Sequence, residues 1–511
     1  MIMTVSFNIH HALEFHARAT PRRLAVESDT GNWTFDELWS GARRFAATLA
    51  GQGLGNGTRI AVLSKNRGEM LVMLFGAALA GAVLVPLNHR LAAPELDWIV
   101  RDSEARVVFF EEEFRPKLGP RQAAEIETLA HGTWWPASPA NGKPYEADDA
   151  YLQIYTSGTT GNPKGVVLTQ ANAIAQQAAV SASLGVRIAP GDRLYQSLPL
   201  FHVGGVFMSL FGLFNGASLV LRRDFSPQDA IDRMSGQEPI HAVMVPTMIQ
   251  ACTALPLPDG HRFPALRTLM FGASPISIDL LQRAARRFGC DLAQVYGMTE
   301  THSVISALNP EDYRLAFSGG RPAILAAAGR PVAGTELRIL DADGKALLAG
   351  EVGEIVVRSG HVMAGYWHRP QDTADTLQGG FLHTGDAGRL DEDGYLYVVD
   401  RIKDIIVSGG ENISSLDVEN VLAAHPMVAE AAVIGVPHPH WGEAVQAIVV
   451  AKNETSPCAD EILAFCRERL AGFKVPRGVE FVAALPRNGA GKVLKRALRE
   501  PFWRGQERRV G

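Results

Sequence analysis

Apolar residues along the first 310 positions fall into two alternating patterns. Short unbroken runs rich in β-branched and aromatic residues, RIAVLS (59–64), RVVFFE (106–111), LYQSLPL (194–200), AVMVPT (242–247) and TLMFGA (268–273), read as buried strands. Between them, LDWIVRDSE (96–104), PQDAIDRMSG (227–236) and IDLLQRAARRFG (278–289) have the composition and spacing of helices with one buried face. This alternation predicts doubly wound sheets, largely parallel and covered on both faces. From about Ala333 the pattern changes to short strands broken by Gly-Asp turns (TELRILDADGKAL, EVGEIVVRSG, DEDGYLYVVD), which predicts an antiparallel or barrel-like subdomain. After Asp400, LDVENVLAAHP, AEAAVIGVP, EAVQAIVVA, DEILAFCRERLAG and GVEFVAAL alternate once more, enough for an α+β lid of about a hundred residues. The expected fold class is α/β: a large N-terminal domain (1–400) of two doubly wound α/β subdomains plus a β-barrel-like subdomain, then a small C-terminal α+β domain (401–511).

Met70 to Leu87 (MLVMLFGAALAGAVLVPL) is long and uncharged enough to be a membrane-helix candidate. It divides more naturally into a helix over Glu69 to Ala80, a stop at Gly81, and a buried strand VLVPL. Val203 to Leu221 repeats that plan, with Asn215-Gly216 between helix and strand, so no stable membrane insertion is expected. Lys117 to Asp149 reads as a long variable connection, and no internal repeat stands out.

Composition narrows the function classes. A chain of 511 residues that is 47% hydrophobic and 20% charged implies at least two cores. A formal net charge of −5 gives no general attraction to nucleic acid. Cys252, Cys290, Cys458 and Cys466 form no C-x-x-C pair and have no histidine at ligand spacing, so neither a zinc site nor a disulfide framework is indicated. The histidines and glutamate of the N-terminal segment interrupt what a signal peptide would need as an apolar run, and a cytoplasmic location is expected.

The densest cluster of candidate chemistry is YTSGTTGNPKGVVLT, Tyr155 to Thr169. Glycines such as Gly158 permit tight turns and free N–H groups, Thr156, Ser157, Thr159 and Thr160 offer hydroxyls, and Lys164 offers a positive charge. Together they suit a polyphosphate. The loop is not a P-loop: counted from Gly158, Pro163 stands where the last glycine should be and Gly165 where the hydroxyl residue should be.

That stretch resembles the AMP-binding signature of the adenylate-forming superfamily, and further motifs of the family follow in order. They are LPLFHVGG (198–205), FGASPI (271–276), YGMTE (296–300), GEIVVRSGHVMAGYW (353–367), HTGD (383–386), VDRIKDIIVSGGEN (399–412) and PRNGAGKVLKR (486–496). The resemblance implies ATP, Mg²⁺ and coenzyme A as the small molecules involved. It places Thr156, Ser157, Gly158, Thr159, Thr160, Lys164, Gly272, Ala273, Ser274, Tyr296, Gly297, Met298, Thr299, Asp386, Arg401 and Lys492 at the nucleotide. Within that set, Tyr296 lies against adenine, Thr299 contacts the α-phosphate, Asp386 and Arg401 reach the ribose, and Glu300 helps hold Mg²⁺. Lys492, on the glycine-loosened loop Gly489-Ala490-Gly491, is implied as the lysine of adenylation, and Lys403 as the hinge about which the mobile C-terminal domain turns.

A double glycine in VSGGEN resembles coenzyme A ligases, with Ser408, Gly409 and Gly410 along a thiol tunnel and Arg90, Trp441, Phe473 and Lys474 at the coenzyme nucleotide. The acid is expected in a pocket of His202, Val203, Gly204, Gly205, Met248, Gly297, Met298 and Val304, with His202 as a gate at its carboxylate end. Those positions are small or apolar, and no arginine lies in these segments, which argues against a second carboxylate. ENISSLDVE carries Ser415 where the commoner form has proline; this resembles short- and medium-chain acyl-CoA synthetases and sets an aliphatic acid slightly before an aromatic one. Two Gly-Arg-Pro triplets replace one before the barrel-like region, which implies an insertion around Ser318 to Ala328. The expected activity is an AMP-forming acid–thiol ligase, acting as a monomer or homodimer. Its rivals are a free-standing adenylation enzyme that loads a carrier protein, a luciferase-like oxidase, and a nucleotide-binding protein without turnover.

Overall fold

The computed structural model describes residues 7–119, 123–125, 149–156, 163–408, 411–452, 458–487 and 493–504. The chain divides into two compact units: the first comprises Met1–Pro275, Gln282–Glu336 and Arg358–Leu382, the second Ile276–Leu281, Leu337–Val357 and His383–Gly511.

Two sheets build the first unit. A nine-stranded sheet runs, in spatial order, Arg330–Pro331, Ser306–Leu308, Asp291–Tyr296, Leu266–Gly272, Ile240–Met244, Arg193–Gln196, Ser218–Leu221, Leu24–Ser28 and Gly31–Thr34. Its six central strands pair in parallel and only its edges are antiparallel. A seven-stranded sheet has the order Gly365–Tyr366, Lys164–Thr169, Ala150–Thr156, Val83–Leu87, Arg59–Leu63, Val107–Phe110 and Ala123–Glu125. Near-continuous burial of Val83–Leu87 and Val107–Phe110 is what a parallel strand covered on both faces requires. The mixed α/β class expected from the alternating pattern is the class observed.

The segment that could have been a membrane helix splits as its glycine indicated. Helix Gly68–Ala80 closes at Gly81, whose φ of 68° is open to a residue without Cβ, and strand Val83–Leu87 comes next. Helix Val203–Phe214 and strand Ser218–Leu221 repeat the plan. Among the described residues no helix is long and apolar enough to cross a membrane. All four cysteines are unpaired. Ala123–Glu125, inside the segment expected as a loop, is a short strand added in parallel to Val107–Phe110; most of the remainder of that segment lies outside the described residues.

The second unit contains most of a five-stranded sheet in which Glu336–Leu340, Gly353–Arg358, Phe381–Leu390 and Leu396–Arg401 pair in succession, the last two antiparallel. Its other sheet is made of Ile406–Ser408, Glu411–Ile413, Val428–His438, Gly442–Ala451 and Gly478–Phe481. Helices Ser415–Ala423 and Ala459–Arg467 contribute Val418, Leu422, Ile462 and Cys466 to a core shared with Val433, Val445, Ala447 and Val449. The short 3₁₀ turn Ile402–Asp404 leaves strand Leu396–Arg401 and contains the expected hinge residue, Lys403. Helix Pro310–Phe317 precedes the first Gly-Arg-Pro triplet, a 3₁₀ turn at Pro322–Ala326 begins at that triplet's proline, and the second triplet enters the sheet edge as Arg330–Pro331.

Candidate active site

Strand order decides where the motifs gather. Arg193–Gln196, Ile240–Met244, Leu266–Gly272 and Asp291–Tyr296 are successive parallel neighbours, so the segments that leave their carboxyl ends all emerge at one edge of the sheet. Those segments hold His202 to Gly205, Met248, Gly272 to Ser274, and Tyr296 to Val304, which are the expected pocket and adenine-side residues. The carboxyl edge of a parallel sheet is the usual place for a ligand, because the loops there converge while the strands stay fixed.

Backbone geometry is unusual in two of these segments. Ala273, His302 and Ser303 have φ of 68°, 51° and 104°, three of the six non-glycine residues with positive φ among those described. A Cβ on Gly297 would stand 1.9 Å from Ser303 O, so the chain folds back on itself at a distance only glycine allows. Beyond this tight turn, Thr299–Thr301 form one 3₁₀ turn that presents Thr299 and buries Glu300.

Glu300 is held from two sides. Tyr366 Oη donates to its Oε1 at 2.8 Å, and Met363 N donates to its backbone oxygen at 2.8 Å. The same Tyr366 ring lies under Lys164, whose Nζ is 5.1 Å from the ring centroid and 2.7 Å from Asp372 Oδ1. This convergence is built by sheet register: Gly365–Tyr366 pairs antiparallel with Val166–Val167, immediately after Lys164. Lys164 in turn faces Thr156 across the strand pair that flanks the glycine-rich loop. Ser157, Gly158, Thr159 and Thr160 lie outside the described residues. A second support sits under the turn, where Tyr151 Oη and His302 Nε2 are 2.6 Å apart and both side chains are fully buried.

His202 stands at the N-cap position of helix Val203–Phe214 without a side-chain capping bond, and its Nε2 is buried without a hydrogen-bond partner. Burial, with smaller contributions from Arg90 and His89, lowers its pKa to about 4, so the ring is neutral near pH 7. Arg90, expected at the coenzyme, has its guanidinium 5.9 Å from the ring of Phe201, the residue before His202. Val203 and Val304 are buried and Met248 and Met298 half-buried.

In the second unit Asp386 and Arg401 are register partners across a hairpin, and Arg401 Nε meets Asp386 Oδ1 at 2.6 Å. Ser408 pairs with Gly442, next to Trp441. Trp441 stacks on His438 with ring centroids 4.2 Å apart, and the Arg477 guanidinium lies 4.5 Å from its ring. Phe473 is exposed and Lys474 pairs with Asp417 at 2.6 Å. Gly409, Gly410 and Lys492 lie outside the described residues.

Tyr366, Asp372, His438 and Arg477 were not singled out from sequence. Tyr366 was in view inside GEIVVRSGHVMAGYW; the others had no local signal, since a lone Asp, His or Arg on a solvated segment reads as surface. One carboxylate, Glu300, fits Mg²⁺ bound together with a nucleotide, because Mg²⁺ is commonly held by one or two carboxylates plus phosphate oxygens. Among the described residues no group of three or more His, Cys, Asp and Glu forms a metal cage of its own.

Comparison with known proteins adds to this geometry. The sequence model described as AMP-binding enzyme matches residues 13–367, and that of the AMP-binding enzyme C-terminal domain matches residues 417–492. The chain is 38% identical over 508 residues to the fatty acid–[acyl-carrier-protein] ligase ScoC of Streptomyces coeruleorubidus, covering 97% of this chain and 96% of that protein. It is 38% identical over 488 residues to a feruloyl-CoA synthase of Amycolatopsis sp, covering 95% and 97%. The o-succinylbenzoate CoA synthetase (MenE) of Bacillus subtilis, solved in complex with the acyl-adenylate intermediate OSB-AMP, superimposes with a TM-score of 0.84 at 32% identity, over 95% of this chain and 97% of that one.

Proposed function

This chain belongs to the AMP-binding enzyme family, and from that premise we propose that it is an AMP-forming acid–thiol ligase that activates a monocarboxylic acid with ATP and passes the acyl group to coenzyme A. The observation that carries the reading is the convergence of Lys164 and Glu300 on Tyr366, which assembles phosphate-binding charge from three distant segments. In the first half-reaction the carboxylate oxygen of the acid attacks the α-phosphorus of ATP and pyrophosphate leaves. Lys164 and the hydroxyls of its loop hold the β- and γ-phosphates, Thr299 contacts the α-phosphate, and Asp386 with Arg401 takes the ribose. Mg²⁺, when bound with ATP at Glu300, offsets phosphate charge. Lys492 stabilises the charge that builds on the pentavalent phosphorus.

In the second half-reaction the coenzyme A sulfur attacks the acyl carbon and AMP departs. Neutral His202 lines the entry to the carboxylate end, and the His438–Trp441–Arg477 stack offers an aromatic and cationic face to the coenzyme nucleotide. Splitting the reaction this way turns an inert carboxylate into a mixed anhydride with a good leaving group.

The pocket positions Val203, Met248, Met298 and Val304 support an uncharged tail, and the relatives named feruloyl-CoA synthase and 2-succinylbenzoate–CoA ligase favour an aromatic ring in the acid over the aliphatic chain that Ser415 suggested. ScoC supports a carrier-protein acceptor as the second reading. One experiment separates these: a panel of C2 to C16 acids, benzoates and cinnamates is assayed for pyrophosphate release with coenzyme A, with carrier protein, or with neither. Acyl-CoA formed from an aromatic acid is the expected result. Acyl-carrier product without acyl-CoA overturns the acceptor, and turnover confined to alkanoic acids overturns the acid.

A further inference from the structure

Ser415, the position at which the sequence departs from the commoner form, sits at the centre of a buried polar network in the second unit. Its N–H and its hydroxyl both donate to Asp400 Oδ2, at 2.8 and 2.5 Å. Its Oγ also accepts from Lys495 Nζ, which lies 2.8 Å from Glu419 Oε1. Proline at this position could make neither bond to Asp400, since it lacks both N–H and hydroxyl. The helix Lys495–Arg499 that carries Lys495 is tied a second time at its other end, where Arg499 Nη2 lies 2.8 Å from Asp404 Oδ1.

Asp400 and Asp404 stand on either side of Lys403; the helix is tied directly to Asp404 and, through Ser415, to Asp400 across the expected pivot. A rotation about Lys403 displaces Ser415 and Lys495 relative to Asp400, and hydrogen bonds of about 3 Å do not survive such a displacement. The contact of Asp400 with Ser415, and through it with Lys495, therefore exists in one orientation of the lid and not in the other. Asp400 lies next to Arg401, the partner of Asp386, and Lys492, implied as the lysine of adenylation, is three residues before Lys495 in sequence.

We propose that Asp400, Ser415 and Lys495 form a latch across the hinge that holds the lid in the adenylating orientation and opens before thioester formation. Lys495 is then a positioning residue acting through Lys492, and the proposal rests on the adenylate-forming reading above. Burial alone would lower the Lys495 pKa, but Glu419, Asp400 and Asp404 reverse this and raise it, so the ammonium remains charged while latched.

The test measures the half-reactions separately in wild type, Ser415→Ala and Lys495→Met: acid-dependent ATP–pyrophosphate exchange, and thioester formation from supplied acyl-adenylate. Loss of the latch should slow exchange about tenfold in Lys495→Met and less in Ser415→Ala, with thioester formation within about twofold of wild type. Trypsin cleavage after Arg401 and Lys403 should quicken in both variants at an unchanged melting temperature. Parallel loss of both half-reactions, or no change in either, overturns the latch. If wild type adenylates no acid, it is the proposed function that fails; cleavage then decides the latch alone, and equal rates in wild type and variants overturn it.

Discussion

The turn at Thr299–Val304 and the latch at Asp400 are both buried polar structures, and they are made of opposite materials. Under the turn the supports are largely neutral: a tyrosine hydroxyl on Glu300, a tyrosine hydroxyl on a histidine, and a backbone N–H from Met363. At the latch they are ionic, with Lys495 against Glu419 and Asp400 reached through Ser415, and Arg499 against Asp404. A neutral group packed in an apolar interior gains little from opening, because weak hydration does not replace the lost contacts. A charged pair that opens into water regains much of its hydration energy, so it separates at lower cost. The chain has put neutral contacts under the part that must stay still and charged contacts under the part proposed to move.

The largest test of that contrast is Glu300→Gln. It keeps the shape of the buried side chain and its acceptor for Tyr366 but removes the charge proposed to meet Mg²⁺ and phosphate. Pyrophosphate exchange should fall by about 10²–10³-fold, with thioester formation from supplied acyl-adenylate much less affected. A loss in exchange below about tenfold would mean that the rigid turn does not present the reacting charge, and the contrast would lose its functional meaning.

A smaller effect is expected at Trp441 in the second unit. Trp441→Ala removes the face between His438 and Arg477, and stacking and cation–π contacts at a partly exposed site are worth roughly 0.5–1.5 kcal/mol. The KM for coenzyme A should rise about three- to tenfold while exchange without coenzyme A is unchanged. An equal fall in exchange would place Trp441 in the packing of the lid rather than at the coenzyme.

Local spacing made the fold legible. Gly81 ended a helix where the apolar run alone suggested a membrane span, and the strand-then-helix rhythm anticipated the parallel order that brings Gln196, Met244, Gly272 and Tyr296 to one edge. Partners far apart in sequence were not legible. Glu300 with Tyr366, Lys164 with Asp372 and Ser415 with Lys495 depend on sheet register and on packing between distant elements, which periodicity within a segment does not encode. Ser415 shows the limit clearly: as a departure from a pattern it suggested an acid chain length, whereas in the fold it bonds to the residue three before the hinge.

The smallest effect is on stability, and its sign differs between the two units. Burial lowers the pKa of His10, His89, His202, His302 and His361 to about 4, and lowers that of His241; all six belong to the first unit. For the first five an unfolded chain takes up the proton near 6.5 and the folded one only near 4, so the stability they contribute is present at pH 7 and lost as pH falls between those values. In the second unit burial lowers His425, while Lys495 is raised by its carboxylate neighbours, so its contribution is complete below the unfolded lysine value and lost above it, at alkaline pH. Hydrogen exchange corrected for intrinsic rates should therefore show the helices around His202 and the Thr299–Val304 turn losing protection between pH 7 and pH 5, before helix Lys495–Arg499 does. Above about pH 10 the order should reverse. Simultaneous loss in both units at either extreme would mean that neutral and ionic interiors respond alike, and His361→Gln, which removes one of the depressed histidines, should then leave the acid response of the first unit unchanged instead of weakening it.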